Sequence, residues 1–176
     1  HFSGLVSSTE DSLGFAKSTD GGVSWTSSVN NAVDINGIFT HDLFNGFRAN
    51  GVPRLAIDNT GGPRNGWIYV TTGEKDIAPA TDSADICLCR STNGGATWTH
   101  TRINQDTPGN GKFQYFADID VLPDGSVVTA YYDQRNTESP VTEYWMSRST
   151  DGGNSWVDAA VSDHSFTPVS IVGNYQ

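Results

Sequence analysis

The chain has 176 residues, long enough for a single domain with a sizeable core. Its formal charge is −10, with only 10 Lys plus Arg and no basic cluster, so a phosphate backbone is excluded as a partner. No apolar run approaches the roughly 18 residues of a membrane-spanning helix. The opening His1-Phe2-Ser3-Gly4 falls in mid-pattern, so the chain reads as mature or trimmed material without an export signal.

The first strand-like run covers residues 13–16 and leads into Ser18-Thr19-Asp20-Gly21-Gly22-Val23-Ser24-Trp25. The one faintly helical stretch, Asp34 to Phe44, is short and broken by Gly37, and residues 39–50 read as a loop. A strand is expected over Val52–Asp58, a Gly-rich turn over 59–66, and a second strand over Trp67–Thr72. After a loop at 73–84 comes a third strand carrying Cys87 and Cys89, then Ser91-Thr92-Asn93-Gly94-Gly95-Ala96-Thr97-Trp98. The order then repeats: a loop at 104–115, Phe116–Leu122, the turn Pro123-Asp124-Gly125, Ser126–Tyr132, and a loop at 133–142. A strand through residues 144–147 follows, with Ser149-Thr150-Asp151-Gly152-Gly153-Asn154-Ser155-Trp156. With 19 Gly and alternating apolar residues throughout, the chain reads as all-β.

The three copies of Ser-x-Asp/Asn-x-Gly-x-x-Trp carry one physical design. Ser18, Asp20, Gly22 and Trp25 recur as Ser91, Asn93, Gly95 and Trp98, and again as Ser149, Asp151, Gly153 and Trp156. The Asp or Asn side chain folds onto the amides of its own turn, and the glycines accept positive φ. The indole then fastens the hairpin to the sheet. Registering the copies aligns Leu13, Ile86 and Tyr144, then Phe15, Leu88 and Met146, on one face of the preceding strand. Gly14, Cys87 and Trp145, then Ala16, Cys89 and Ser147, fall on the other. Cys89 shares a slot with Ala and Ser, so the two cysteines read as small buried side chains. A Cys-x-Cys metal site would need two further ligands, there is no second Cys pair, and His1, His41, His100 and His164 show no ligand spacing.

Four strands per unit is a β-propeller blade. The count gives two complete antiparallel blades, 50–107 and 112–163, with the box hairpin between the third and fourth strands. The end of an earlier blade lies at 1–33, and 168–176 begins another. A closed ring takes about four to eight blades. The chain therefore reads as an arc of a longer protein, or as one that completes its ring with other copies.

These boxes resemble those of the Asp-box, or bacterial neuraminidase repeat, proteins of the sialidase-like superfamily. Arg90 to Trp98 and Val128 to Asn136 look like segments of secreted bacterial propellers of that kind. The resemblance implies a propeller and an extracellular or surface location. Sialidases of the family use three arginines on the substrate carboxylate, a Tyr–Glu nucleophile pair and an Asp acid/base. Their Phe/Tyr-Arg-Ile-Pro motif is absent, since Phe47-Arg48-Ala49-Asn50 lacks Ile-Pro and follows the first box. No catalytic residue therefore carries over.

Candidates come instead from register. Glu74 and Asp133 fall at equivalent strand ends and could form an acid/base pair or ligate a structural Ca²⁺, the one cofactor considered; the alternative is that each caps its loop. Arg48, Arg54 and Arg135 could clamp a carboxylate, although a structural ion pair of Arg135 with Asp133 or Glu138 competes. Tyr115, Tyr131 and Tyr132 could stack on sugars or pack between blades. Asp120 replaces Ala56 on an innermost strand and must find a partner, a cation or water. The expected function is a non-catalytic module binding glycan or protein through its loop face. The alternatives are a fragment of a sialidase-like glycoside hydrolase and a self-associating structural subunit.

Overall fold

The computed structural model describes residues 10–27, 33–44 and 47–169. It is all-β, and its centre is a pair of four-stranded antiparallel sheets. The first consists of β7 (Arg54–Ile57), β8 (Ile68–Glu74), β9 (Asp85–Ser91) and β10 (Thr99–Arg102), hydrogen-bonded in chain order. The second consists of β11 (Gln114–Val121), β12 (Val127–Asp133), β13 (Glu143–Ser149) and β14 (Val157–Ala160), also in chain order. Chain-order pairing follows from short connections, each of which lets a strand return beside its predecessor. Among the described residues no helix is long and apolar enough to cross a membrane.

The segment before β7 departs from the expectation. The run at 13–16 is split into β1 (Ser12–Leu13) and β2 (Ala16–Lys17), which pair with different partners. β1 joins β4 (Val33–Asp34), β2 joins β3 (Thr26–Ser27), and Gly14 lies at the break. Residues 39–50 are not a loop but a hairpin of β5 (Phe39–Phe44) and β6 (Phe47–Asn50). The stretch that looked faintly helical is thus extended backbone, because a hairpin partner supplies the hydrogen bonds that the local pattern left open. Of the further unit expected over 168–176, residues 170–176 lie outside the described residues, as do 1–9 and 28–32 of the earlier unit expected over 1–33.

The two sheets stack face to face. Ala56, Tyr69, Ile86 and Leu88 of the first meet Ala117, Ile119, Val127 and Tyr131 of the second in one buried cluster, with Trp156 at its edge. The opposite face of the first sheet, with Ile68, Val70, Cys87 and Cys89, packs on Leu13, Phe15, Val33 and Ile35. Each sheet is buried on a face because the next element covers it, so apolar residues occupy both sides of β8 and β9.

The repeated hairpins lock this stacking. In the third copy the Ser149 hydroxyl donates to Asp151 at 2.8 Å, and the Gly153 amide donates to Ser149 Oγ at 2.7 Å. Asp151 also accepts from the Ser155 amide at 3.0 Å and the Ser155 hydroxyl at 2.6 Å. The amide bonds recur around Asn93 and Asp20, with the amides of Thr97 and Ser24 each 2.9 Å from the side-chain oxygen. Asn93 Nδ2 donates to the Thr97 hydroxyl at 2.8 Å, where the aspartates accept from theirs. Gly153 has φ +88°, and a Cβ there would stand 2.6 Å from Leu88 Cδ2 on the first sheet. Gly95 repeats this one unit earlier, against the Phe15 ring. Phe15 and Leu88 are the aligned residues of the register above, so the contact is periodic.

The indoles are less uniform than the motif implies. Trp156 is 9% exposed, Trp98 is half-buried against Phe15, and Trp25 is 66% exposed. Trp156 and Trp98 lie against Leu88 and Phe15 of the preceding unit, and among the described residues no four-stranded sheet covers Trp25. Trp25 therefore does not fasten its turn to the core, although its Nε1 still donates to the Gly22 carbonyl at 3.1 Å.

Gly153→Ala should lower stability by about 2–4 kcal/mol in urea denaturation, from strained backbone plus overpacking against Leu88. Gly21→Ala, with φ +75° and open space around it, should cost only about 1 kcal/mol. Equal losses would contradict the interlock. A second expectation concerns acid. The Ser155 hydroxyl and amide hold the Asp151 carboxyl well below its usual range. A depressed carboxyl contributes stability above its unfolded value near ~3.9 and loses it as pH falls toward the folded value. Asp151→Asn, which keeps the acceptor as Asn93 does, should fold at neutral pH and flatten the acid limb of a stability-against-pH profile.

Candidate functional site

Register fixes the direction of the sheets. Ser91 and Ser149, which open the second and third turns, pair with Ile68 and Val127 at the starts of β8 and β12. Glu74 and Asp133 end those strands, so they lie at the opposite edge of the molecule from the repeated hairpins. The loops of that edge are tied together from within. Asp82 is buried and accepts the amides of Gly109 and Gly111 at 2.7 Å each. Asn104 donates to Asp85, Asp106 and Gln114 at 2.7–2.9 Å, and Arg102 pairs with Asp85 and Asp106. Burial raises the Asp85 carboxyl against the pull of Asn104 and Arg102. None of Asp82, Asn104, Asp106 or Gln114 stands out in the sequence, because no repeated motif contains them and the fold alone brings Asp82 to Gly109 and Gly111, and Asn104 to Asp85 and Gln114.

Glu74 and Asp133 do occupy equivalent register positions, opposite Asp85 and Glu143. The structure places them in separate networks rather than in one acid/base pair. Asp133 is buried and accepts from Gln114 Nε2 at 3.1 Å and from Arg135 Nε at 2.8 Å. Burial raises its carboxyl, partly countered by Arg135. Arg135 also meets Asp158 at 2.6 Å, and its guanidinium carbon lies 4.0 Å from the centroid of a Trp145 ring. Its partners are thus Asp133 and Asp158; Glu138 pairs with Lys112 instead. The cation is enclosed and paired with these two carboxylates, as the structural ion-pair alternative for Arg135 and Asp133 expects.

Glu74 is buried, with Oε1 2.8 Å from His100 Nε2 and in hydrogen-bond contact with the Cys87 thiol. Its other oxygen accepts the Asn36 amide at 3.3 Å. Burial, with Cys89 and Glu74 adding to it, pushes the Cys87 thiol well above its ordinary value. Asp120 is exposed and accepts the Val121 amide at 2.8 Å. It faces away from the first sheet, on the side where its counterpart Ala56 is covered by the second, so its charge rests in solvent. Arg48 is on β6, and its side chain lies outside the described residues.

Where the open ends of β7, β11, β12 and β13 converge there is a cleft of about 380 Å³. Arg54 and Asp118, both exposed, stand at equivalent positions of adjacent first strands, and Phe116, Tyr132 and Tyr144 supply aromatic surface between them. The Tyr132 ring lies 5.4–6.2 Å from those of Tyr115, Phe116, Tyr144 and Phe166. Tyr115 is buried behind this cluster, and desolvation pushes its phenol up to about 12. Tyr131 turns the other way, with its hydroxyl 2.7 Å from Ser147 Oγ inside the sheet stack.

Phe116 is the anomaly of the cleft. Its φ is +54°, left-handed for a bulky residue inside a strand, and it sits in a β-bulge between Tyr115 and Asp118. A conformation of that kind costs on the order of 1–3 kcal/mol and clusters at binding and catalytic sites. The bulge turns the ring outward, to 38% exposure, while Tyr115 and Ala117 stay inside. No sequence signal marks it, since the extra residue reads as ordinary alternation.

No family model matches the chain, and no curated protein matches it. Among solved structures it is similar to a Hadza microbial sialidase, at 19% identity and a TM-score of 0.51. The match covers 81% of this chain and 30% of that one, so the chain spans under a third of that structure's length. At such identity the likeness establishes the fold alone: an all-β, sialidase-like arrangement of antiparallel four-stranded sheets.

Removing Arg135 would leave Asp133 and Asp158 buried without their cation. Arg135→Ala should therefore cost about 3–5 kcal/mol in chemical denaturation. A loss under about 1 kcal/mol would mean the guanidinium is not the counter-charge of this network.

Proposed function

We propose that the chain is an arc of an Asp-box β-propeller whose 380 Å³ cleft binds a glycan. The four-stranded sheets are its blades, and further blades complete the ring. The reading is carried by Phe116, an aromatic side chain turned into an open cleft at the expense of backbone strain. Aromatic faces suit the apolar side of a sugar ring, and Arg54 and Asp118 supply a donor and an acceptor for its hydroxyl or carboxylate groups. The candidates for acid/base chemistry do not serve the cleft: Glu74, Asp133 and Arg135 are each engaged with protein partners. This favours recognition over hydrolysis. A secreted or surface location accords with the likeness to a sialidase and is part of the same proposal.

That likeness also favours a second reading, in which the arc belongs to a sialidase-like hydrolase whose other blades complete the catalytic site. A glycan array followed by calorimetry separates the two. The recognition reading expects binding without turnover, weakened roughly tenfold or more by Arg54→Ala or Asp118→Ala, both at exposed positions. Release of fluorophore from a sialoside, abolished by Arg54→Ala, would establish the hydrolase. An array without hits, together with no turnover, would overturn glycan recognition altogether.

A further inference from the structure

The cluster around Glu74 has chemistry that the cleft does not use. Cys87 and Cys89 are successive inward residues of β9, Glu74 ends β8, and His100 lies on β10 beside Cys89. One ligand atom from each of these four residues lies within 4.8 Å of all the others. The two cysteines are fully buried, Glu74 is 2% exposed at its side chain, and His100 is 29% exposed. Sequence spacing does not disclose the set, because the partners that a Cys-x-Cys pair needs arrive from two neighbouring strands.

The second sheet says what such a position is for. By register, Glu74, Cys87, Cys89 and His100 correspond to Asp133, Trp145, Ser147 and Asp158. In the second sheet that position holds a positive charge: Arg135 meets both Asp133 and Asp158 at 2.6 Å and lies over Trp145. In the first sheet the residue two beyond Glu74, where Arg135 stands two beyond Asp133, is Asp76. No arginine stands there, and the groups at the equivalent positions are two thiols, an imidazole and a carboxylate. The carboxylate is common to both sheets, while Trp145, Ser147 and Asp158 of the second are matched by two soft thiols and a borderline imidazole at the same positions of the first.

From this juxtaposition the geometry points to a structural transition-metal site in the first sheet, formed by Cys87, Cys89, His100 and Glu74 and suited to Zn²⁺. Four donors of the Cys₂HisGlu kind give a closed tetrahedral shell with no position left for substrate, which is a structural role. Zinc–sulfur bonds of about 2.3 Å and zinc–nitrogen or –oxygen bonds of about 2.0 Å put ligand atoms roughly 3.2–3.8 Å apart, so the cluster has to contract by about 1 Å. Side-chain rotation supplies that, because the present Glu74–His100 and Glu74–Cys87 hydrogen bonds are given up as the metal binds. Entry of Zn²⁺ releases the two thiol protons to water, leaving thiolates and carboxylate against the dication. Access is provided by the part-exposed His100 and by an apolar cleft of about 180 Å³ that reaches Cys89. The metal would tie β8, β9 and β10 together, as Arg135 ties β12 to β14.

The purified 176-residue chain, reduced and then dialysed against Zn²⁺, should retain one zinc per chain by elemental analysis and melt at a higher temperature than after chelation. Co²⁺ in its place should give the thiolate charge-transfer band and the intense visible bands of a tetrahedral site. Cys89→Ser, which installs the residue the second sheet carries at this slot, and His100→Ala should each weaken zinc binding by about 100-fold or more. Both cysteines should react with a thiol reagent in the chelated protein under mild denaturant and be protected when zinc is present. Sub-stoichiometric zinc without the charge-transfer band in the wild-type chain would overturn the site, leaving the Glu74–His100 hydrogen bond beside two thiols. Unchanged affinity in both variants would do the same.

Discussion

The close approach of a glycine turn to the face of the preceding sheet is the contact on which the molecule depends. Gly153 against Leu88, and Gly95 against Phe15, admit no side chain at the turn and demand a left-handed backbone there. The Ser and Asp or Asn of each hairpin satisfy the backbone amides that this geometry leaves pointing inward. Once the turn is set, Arg90 reaches across to the Gly152 carbonyl, and Arg64 to that of Gly125, so the two sheets are joined by polar bonds at their rim and by apolar packing within. Trp25, with no four-stranded sheet over it among the described residues, is the exposed one of the three indoles.

Stacked sheets of this kind repeat their backbone but not their interior chemistry. The slot between the second and fourth strands must contain polar groups, because the strand ends carry a carboxylate in both units. Burial of a carboxylate without a counter-charge costs several kcal/mol. The second sheet solves this with Arg135, stacked on Trp145 and bonded to two aspartates. In the first sheet a histidine and two thiols stand around Glu74 instead. Equivalent positions therefore report a shared electrostatic demand more faithfully than a shared side chain.

The edge opposite the hairpins is where repetition breaks down. Loops 75–84 and 103–113 are held by buried Asp82 and by the Asn104 network, which ties irregular backbone into a hydrogen-bonded rim. Against that rim the bulge at Phe116 is sustained, and with it the aromatic cleft beside Arg54 and Asp118. Strain at one residue persists because well-packed neighbours over-determine it.

Much of this was written locally. The all-β class, the strand order and the pairing of Arg54 with Asp118 and of Glu74 with Asp133 by position follow from period-two alternation and from three near-identical turns, since both depend on residues within a few positions of one another. The hairpin over 39–50 was missed because its hydrogen bonds are supplied by a partner strand and not by its own composition. Whether a given charge is buried, paired or free was decided only by tertiary structure. Asp120 is harmless because it faces away from the first sheet, Arg135 is unavailable because Asp158 arrives from β14, and Cys87 and Cys89 acquire Glu74 and His100 from flanking strands. Local pattern sets which face a side chain points to; the neighbour brought by the fold sets what that side chain can do.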